Sequence, residues 1–181
     1  EIGVEGIELN SMYLSGQYRP RVYWTNIDFK EINFDKKNKT IKDYLEKKAD
    51  KKYYFDIDIN KIQKINKSNK LKHGINKICL IPRNLLKDNE RQRRVYDIRG
   101  KSPTLLARSD TPKILINNKI RKLTPLECER LQGLPDNYTA KFSNTTRYKM
   151  IGNGFTVQVI KYILSFVSKK TTKKKQLELF H

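Results

Sequence analysis

Two cysteines and two histidines are all that this 181-residue chain offers to sulfur or imidazole chemistry. Cys79 and Cys128, with His73 and His181, assemble neither a disulfide framework nor a zinc site from their spacings, so no metal is expected. Long apolar runs are also missing. No stretch approaches the roughly 18 residues a membrane span needs, and Glu1-Ile2-Gly3 lacks the basic start and apolar core of a signal peptide. A cytoplasmic protein without a membrane partner is expected. Hydrophobic residues make up 37%, below the common share of about 45–50%, yet with 10% aromatics they still permit a modest core.

Acidic residues are scarce beside basic ones, 19 against 39, which leaves a formal charge of +20. Such an excess points to a polyanion, because cations that meet phosphates release condensed counterions. Codon bias offers a second source for the charge, since Lys, Asn and Ile supply 62 of the 181 residues. Arginine escapes that bias. Arg91, Arg93, Arg94, Arg99 and Arg108 fall within eighteen residues, whereas the lysine-rich tail from Ser168 to Lys175 reads as a solvated run.

Local patterns divide the chain. Ile7 to Asn10 and Arg21 to Ile27 read as a hairpin, with Ser15-Gly16 in the connection and Trp24 as a core residue. Ile41 to Lys48 reads as helix, Tyr53 to Ile57 as strand, Asn60 to Asn66 as helix, Asn66 to Lys77 as an exposed loop and Ile78 to Ile81 as a short buried strand. Asp56 to Asn60 imitates a calcium loop, but Lys61 and Lys67 occupy the positions of its Gly and its bidentate Glu. Thr124-Pro125-Leu126-Glu127 is a capping box with Pro in the first turn, so a helix runs from Pro125 to Gln132 and stops at Gly133. Leu123 is placed to staple onto Cys128. A last helix covers Phe155 to Val167, entered through a Gly152-Asn153-Gly154 turn.

Three stretches together resemble the DNA (cytosine-5) methyltransferases. Gln17-Tyr18-Arg19-Pro20-Arg21 resembles their eighth motif, Arg121 to Tyr138 their ninth, and Ile151-Gly152-Asn153-Gly154-Phe155-Thr156-Val157 their tenth and last. The family's Gly-rich donor loop, Pro-Cys nucleophile and Glu-Asn-Val motif do not occur in this sequence. The resemblance therefore implies the C-terminal portion of a doubly wound α/β methyltransferase domain, with a small mixed α+β target recognition domain. The chain would be a fragment or the small subunit of a split enzyme. Its implied parts are the motif-eight hairpin at 1–27, the recognition region at 28–120, the motif-nine segment at 121–147, the motif-ten turn and helix at 148–168, and a basic tail at 169–181.

The same resemblance assigns roles. Methyl transfer from S-adenosylmethionine to C5 of a flipped cytosine develops negative charge toward N3 and O2, and the last arginine of the eighth motif, Arg21, faces O2. Gln17 and Arg19 complete that catalytic motif. Asn153, Gly154 and Thr156 are implied at the donor, with Gly154 standing where a serine is commoner. On double-stranded DNA, Thr104 matches a backbone contact in Pro103-Thr104-Leu105, Arg108 and Ser109 lie where recognition loops lie, and Arg91, Arg93 and Arg94 are phosphate contacts. Glu127 is read as a cap and Arg121 as structural. The partners implied are DNA and an N-terminal methyltransferase half or large subunit, in a restriction-modification or phage context. The alternative is a noncatalytic DNA-binding or regulatory module built from the same pieces.

Overall fold

The computed structural model describes residues 3–29, 39–62 and 74–178, with side chains as far as Val167. The first two strands, β1 (Gly6–Asn10) and β2 (Pro20–Trp24), pair antiparallel with Leu9 opposite Arg21 and Ile7 opposite Tyr23. Asn10 shapes the connection, its Oδ1 accepting from the Met12 and Arg19 amides at 3.1 Å each. Alternation places Ile7, Leu9, Arg21 and Tyr23 on one face and Gly6, Val22 and Trp24 on the other. The first face packs on the last helix, where Leu9, Phe29, Val159 and Ile163 form a core with Tyr23, Tyr162 and Phe166 around it. The second face is uncovered, and Trp24, expected in the core, is 55% exposed. A two-stranded sheet with one helix on it has only one face to bury.

The larger sheet has the order β3-β4-β5-β6, formed by Lys77–Leu80, Arg94–Asp97, Lys113–Ile116 and Lys119–Lys122. β4 and β5 are parallel while the other pairs are antiparallel. A parallel pair needs a crossover, and residues 98–112 supply it by running out to the hairpin, where Ser102 bridges Gln17, and back. The tight β5–β6 turn uses Asn117 and Asn118 at φ of 48° and 58°, the left-handed pair that a two-residue hairpin demands. Cys79, Ile81, Val95 and Ile120 fill one side of this sheet together with Ile59 and Ile62. β6 spans residues 120 and 121, so Arg121 and Lys122 share one sheet with β3, β4 and β5. The elements described form a mixed α/β arrangement; a doubly wound parallel sheet is not among them.

Helix α1 (Pro125–Gln132) has the expected capping box, and Gly133 ends it at φ 77°. Leu123 and Cys128 meet in a core with Leu131, Tyr148, Ile151, Ile41 and Tyr44. Ser143 then caps α2 (Asn144–Asn153), a helix the sequence reading did not anticipate. Gly152 and Asn153 are its last turn rather than a free turn. α3 is Val157–Glu178, so Phe155 lies before it and is 66% exposed. By length and composition Asn144–Val167 would reach across a membrane, but Gly154 at ψ 163° divides it into two helices, α2 packing through Tyr148 and Ile151 into one core and α3 through Val159 and Ile163 into the core under the hairpin.

Three further expectations between residues 41 and 66 change. The helix expected from Ile41 to Lys48 is a single 3-10 turn, Ile41–Tyr44, because the Glu46 amide donates to Glu127 Oε1 at 3.0 Å rather than back along a helix. Tyr53 to Ile57 is not a strand. Only Tyr54 bridges Arg121, and the Phe55 amide donates to the Ile120 carbonyl at 2.9 Å. Of the helix expected at Asn60 to Asn66, Ile59–Lys61 forms one 3-10 turn and the remainder from residue 63 lies outside the described residues, as does 66–73 of the expected loop.

Candidate active site and nucleic-acid face

Four stretches far apart in sequence meet at one buried joint. Gln17 is fully buried, its Oε1 accepting from the Leu105 amide at 3.1 Å and its Nε2 donating to Gln132 Oε1 at 3.3 Å. Arg19, also buried, donates from Nη1 to the Leu105 carbonyl and from Nη2 to the Gly152 carbonyl, both at 2.8 Å, and to the Gly154 carbonyl at 3.1 Å. Thr156 donates to Gln132 Oε1 at 2.8 Å. The crossover is bound alongside: the Tyr18 amide donates to Ser102, the Ser102 amide to Gly16, and Thr104 Oγ1 to the Tyr18 carbonyl at 3.0 Å. Lys101 is buried with its ammonium on the Met12 and Ser15 carbonyls, and desolvation lowers its pKa. A Cβ on Gly152 would lie 2.2 Å from the Leu106 carbonyl oxygen, so only glycine lets α2 reach the crossover backbone.

The joint presents two exposed groups. Arg21, in β2 and two residues beyond Arg19, is exposed, its Nη1 donating to the Pro20 carbonyl at 2.6 Å. Asn153 is exposed at the end of α2, next to the Gly154 carbonyl that Arg19 holds. The Tyr23 ring, further along β2, lies 6.2 Å from Phe155. Burial, and then the charge of Arg21, lowers the Arg19 pKa to about 10, which leaves it cationic at neutral pH. Two guanidiniums thus stand two residues apart, Arg19 just before β2 committed to carbonyls and Arg21 within it facing solvent. Beside Gly154 lies an open apolar depression of about 370 Å³, lined by Leu134, Tyr138, Met150, Phe155 and Ile160.

The basic residues sort themselves by geometry. Arg91, Arg94, Thr104 and Lys113 line one small cleft, with Tyr96 and Pro103 in its wall. Arg94 pairs with Glu90 at 2.9 Å, and Arg91 is exposed. Arg93 turns away: it donates to the Ile81 carbonyl at 2.5 Å and the Asp88 carbonyl at 3.1 Å and so closes the 82–88 loop. Arg108 and Ser109 are exposed on the returning limb of the crossover. Thr104 therefore sits between the cleft and the joint, although its hydroxyl is already committed to Tyr18.

Joint, cleft and capped helix combine the three sequence motifs in one place, and a family description covers nearly all of them. Residues 11–169 match the C-5 cytosine-specific DNA methylases. The chain belongs to that family. Among curated relatives, it is 40% identical over 75 residues to the Type II methyltransferase M.HhaI of Haemophilus parahaemolyticus, covering 39% of this chain and 23% of that protein. It is 25% identical over 231 aligned positions to the orphan methyltransferase M.SPBetaI of Bacillus phage SPbeta, covering 90% of this chain and 52% of the relative. The S. pombe Dnmt2 methyltransferase shares the fold at a TM-score of 0.61 and 15% identity, over 92% of this chain and 57% of its own. The chain thus spans from about a quarter to about half the length of these relatives.

Within this C-5 cytosine methylase chain, neither cysteine has the setting of a nucleophile. Both are buried, and burial followed by the charges of Glu127 and Glu129 pushes the Cys128 thiol well up, away from the thiolate form that attack requires. The carboxylates of motif nine are structural. Glu127 accepts from Arg121 at 2.6 and 2.7 Å and from the Thr124 and Glu46 amides. Glu129 accepts from Arg147, from the Asn137 and Thr139 amides and from the Thr139 hydroxyl. Among the described residues no group of three metal-ligating side chains occurs. Sequence reasoning passed over Gln132, whose one visible signal is a long amide on the face of α1 otherwise filled by Cys128 and Leu131.

Proposed function

We propose that this chain is the C-terminal part of a DNA cytosine-5 methyltransferase, working with an N-terminal half that carries the nucleophile and most of the donor site. The observation that carries the reading is the Arg19 clasp, which sets exposed Arg21 and exposed Asn153 on one edge of the joint. Arg21 has a fixed base, a charge and access to solvent, which suits a donor aimed at cytosine O2 as negative charge develops there. A preorganised guanidinium stabilises that charge more in the transition state than in the ground state. Gln17 and Arg19 serve this role by holding the strand, since their own polar atoms are engaged inside.

S-adenosylmethionine, when bound, supplies the methyl group. Asn153, exposed on a fixed turn with a side-chain amide that can donate, fits its carboxylate end, whereas the Gly154 backbone holds that turn, its amide donating to the Met150 and Ile151 carbonyls and its carbonyl accepting from Arg19 and Gln132. Thr156 contributes indirectly, because its hydroxyl is buried on Gln132. The cleft of Arg91, Arg94 and Thr104 suits the phosphate backbone of duplex DNA, with Lys113 buried in its wall on the Gln92 carbonyl and Asp110, and Arg108 and Ser109 suit base edges in the major groove. Arg93 supports that cleft from behind. The bacterial and phage relatives favour a cytoplasmic restriction-modification or orphan-methylase setting.

The test mixes this chain with a partner half bearing the Pro-Cys motif and follows labelled methyl transfer to DNA. Transfer is expected from the mixture and from neither half alone. Arg21→Ala in the active mixture should lower turnover by about 10²–10³ with DNA binding largely kept. Turnover by the isolated chain refutes the split reading, and indifference to Arg21→Ala favours a noncatalytic DNA-binding module.

A further inference from the structure

We infer that Gln132 is a positioning residue that ties the base-facing strand to the donor-facing turn, so that both are set by one side chain. The inference rests on the methyltransferase reading above. A carboxamide has two donor hydrogens and two acceptor lone pairs, and Gln132, 1% exposed, uses all four. Its Oε1 accepts from Gln17 Nε2 at 3.3 Å and Thr156 Oγ1 at 2.8 Å. Its Nε2 donates to the Ile151 carbonyl at 2.8 Å and the Gly154 carbonyl at 3.3 Å. Three of these partners flank Asn153, and the fourth belongs to the motif that carries Arg21.

The side chain is not needed to end its own helix. Gly133 does that through its backbone amide, which donates to the Arg130 and Glu129 carbonyls. What Gln132 adds is a continuous path. Gly154 and Thr156 meet it on one side, Gln17 meets it on the other, and Gln17 passes on to the Leu105 amide, one residue from Thr104 in the basic cleft. Arg19 runs parallel to this path, bonding the Leu105 and Gly154 carbonyls at its two ends. In a buried joint such a chain of hydrogen bonds is stiff, and every cut leaves a buried partner unsatisfied. A shift of the DNA-bound crossover would then move the turn at Asn153.

Two variants test this in the reconstituted enzyme. Thr156→Val removes one arm while keeping shape, and should raise KM for S-adenosylmethionine by about fivefold, more than it lowers kcat. Gln132→Met removes all four bonds, and should raise that KM and lower kcat by about tenfold each. The double variant should be no worse than Gln132→Met, because Thr156 then has no partner to lose. An additive double variant, or a Gln132→Met enzyme that keeps both constants and merely melts earlier, overturns the proposal. Hydrogen exchange on the full chain gives a readout without activity: Gln132→Met should deprotect 102–106 and 152–156 together, and deprotection of 152–156 alone overturns it. If the wild-type mixture is inactive, the functional reading fails, and exchange still decides the joint. If Gln132→Met does not fold, Thr156→Val decides: an unmoved donor KM overturns the proposal.

Discussion

Glu127 and Arg121 are among the largest side chains buried almost without exposure, and each is charged. Their bidentate contact, with the Thr124 and Glu46 amides on the remaining carboxylate positions, satisfies Glu127 completely, while Arg121 Nε has no partner. Breaking such a pair leaves a charge stranded in low dielectric. Glu127→Ala is therefore expected to cost about 3–5 kcal/mol in chemical denaturation, while Arg121→Met, which takes the charge away with its partner still hydrogen-bonded to amides, should cost less. The sequence already marked Glu127 as a cap and Arg121 as structural. That the Glu46 amide joins them needed the fold, because the 3-10 turn at Ile41–Tyr44 that delivers it comes from eighty residues earlier.

At the scale of elements, those whose signals are local read correctly. α1 is bounded by a capping box and a left-handed glycine, both written in adjacent residues. The β5–β6 hairpin carried an equally local sign, Asn117-Asn118 between Lys-Ile-Leu-Ile and Lys-Ile-Arg-Lys, which the reading of the sequence left unused. A branched residue in the second left-handed position should be costly, so Asn118→Val is expected to lower stability by about 1–2 kcal/mol in thermal or chemical unfolding. Elements held by distant partners were misread. Tyr53 to Ile57 has strand-like composition, yet its backbone meets β6 at one bridge and goes no further. Trp24 has the residue type of a core position, but its register on β2 turns it outward.

Over the whole molecule, the +20 charge resolves into different structural uses. Arg19, Lys101, Lys113 and Arg121 are buried on carbonyls or carboxylates and hold segments together. Arg91 and Arg94 line the cleft, and most of the described lysines face solvent. On the proposed reading, Arg91→Ala should weaken DNA binding about equally across sequences and reduce the slope of log K against log salt by about one, measured by titration at several salt concentrations. Arg93→Ala should instead act through stability, since its guanidinium closes a loop. Apolar surface is divided just as clearly: Val22 and Trp24 on one side, and Tyr138, Met150 and Phe155 on the other, flank the edge that carries Arg21 and Asn153. On the proposed reading these are the surfaces that the N-terminal half would cover.

The order of the three motifs, the capped helix and the concentration of arginines were all present in the sequence, because each depends on residues adjacent in the chain or on residue type alone. Which arginines are structural and which are exposed was decided only by tertiary structure. Arg19 and Arg21 are two residues apart in one motif with the same side chain, and Arg93 and Arg94 are neighbours. Their different fates follow from what stands opposite them: carbonyls from residues 105, 152 and 154 for Arg19, carbonyls of Ile81 and Asp88 for Arg93, a cleft for Arg94, and solvent for Arg21. The acceptors of Arg19 arrive from 86 to 135 residues away, which no local pattern encodes, and those of Arg93, 5 and 12 residues off, face it only because the 82–88 loop folds back.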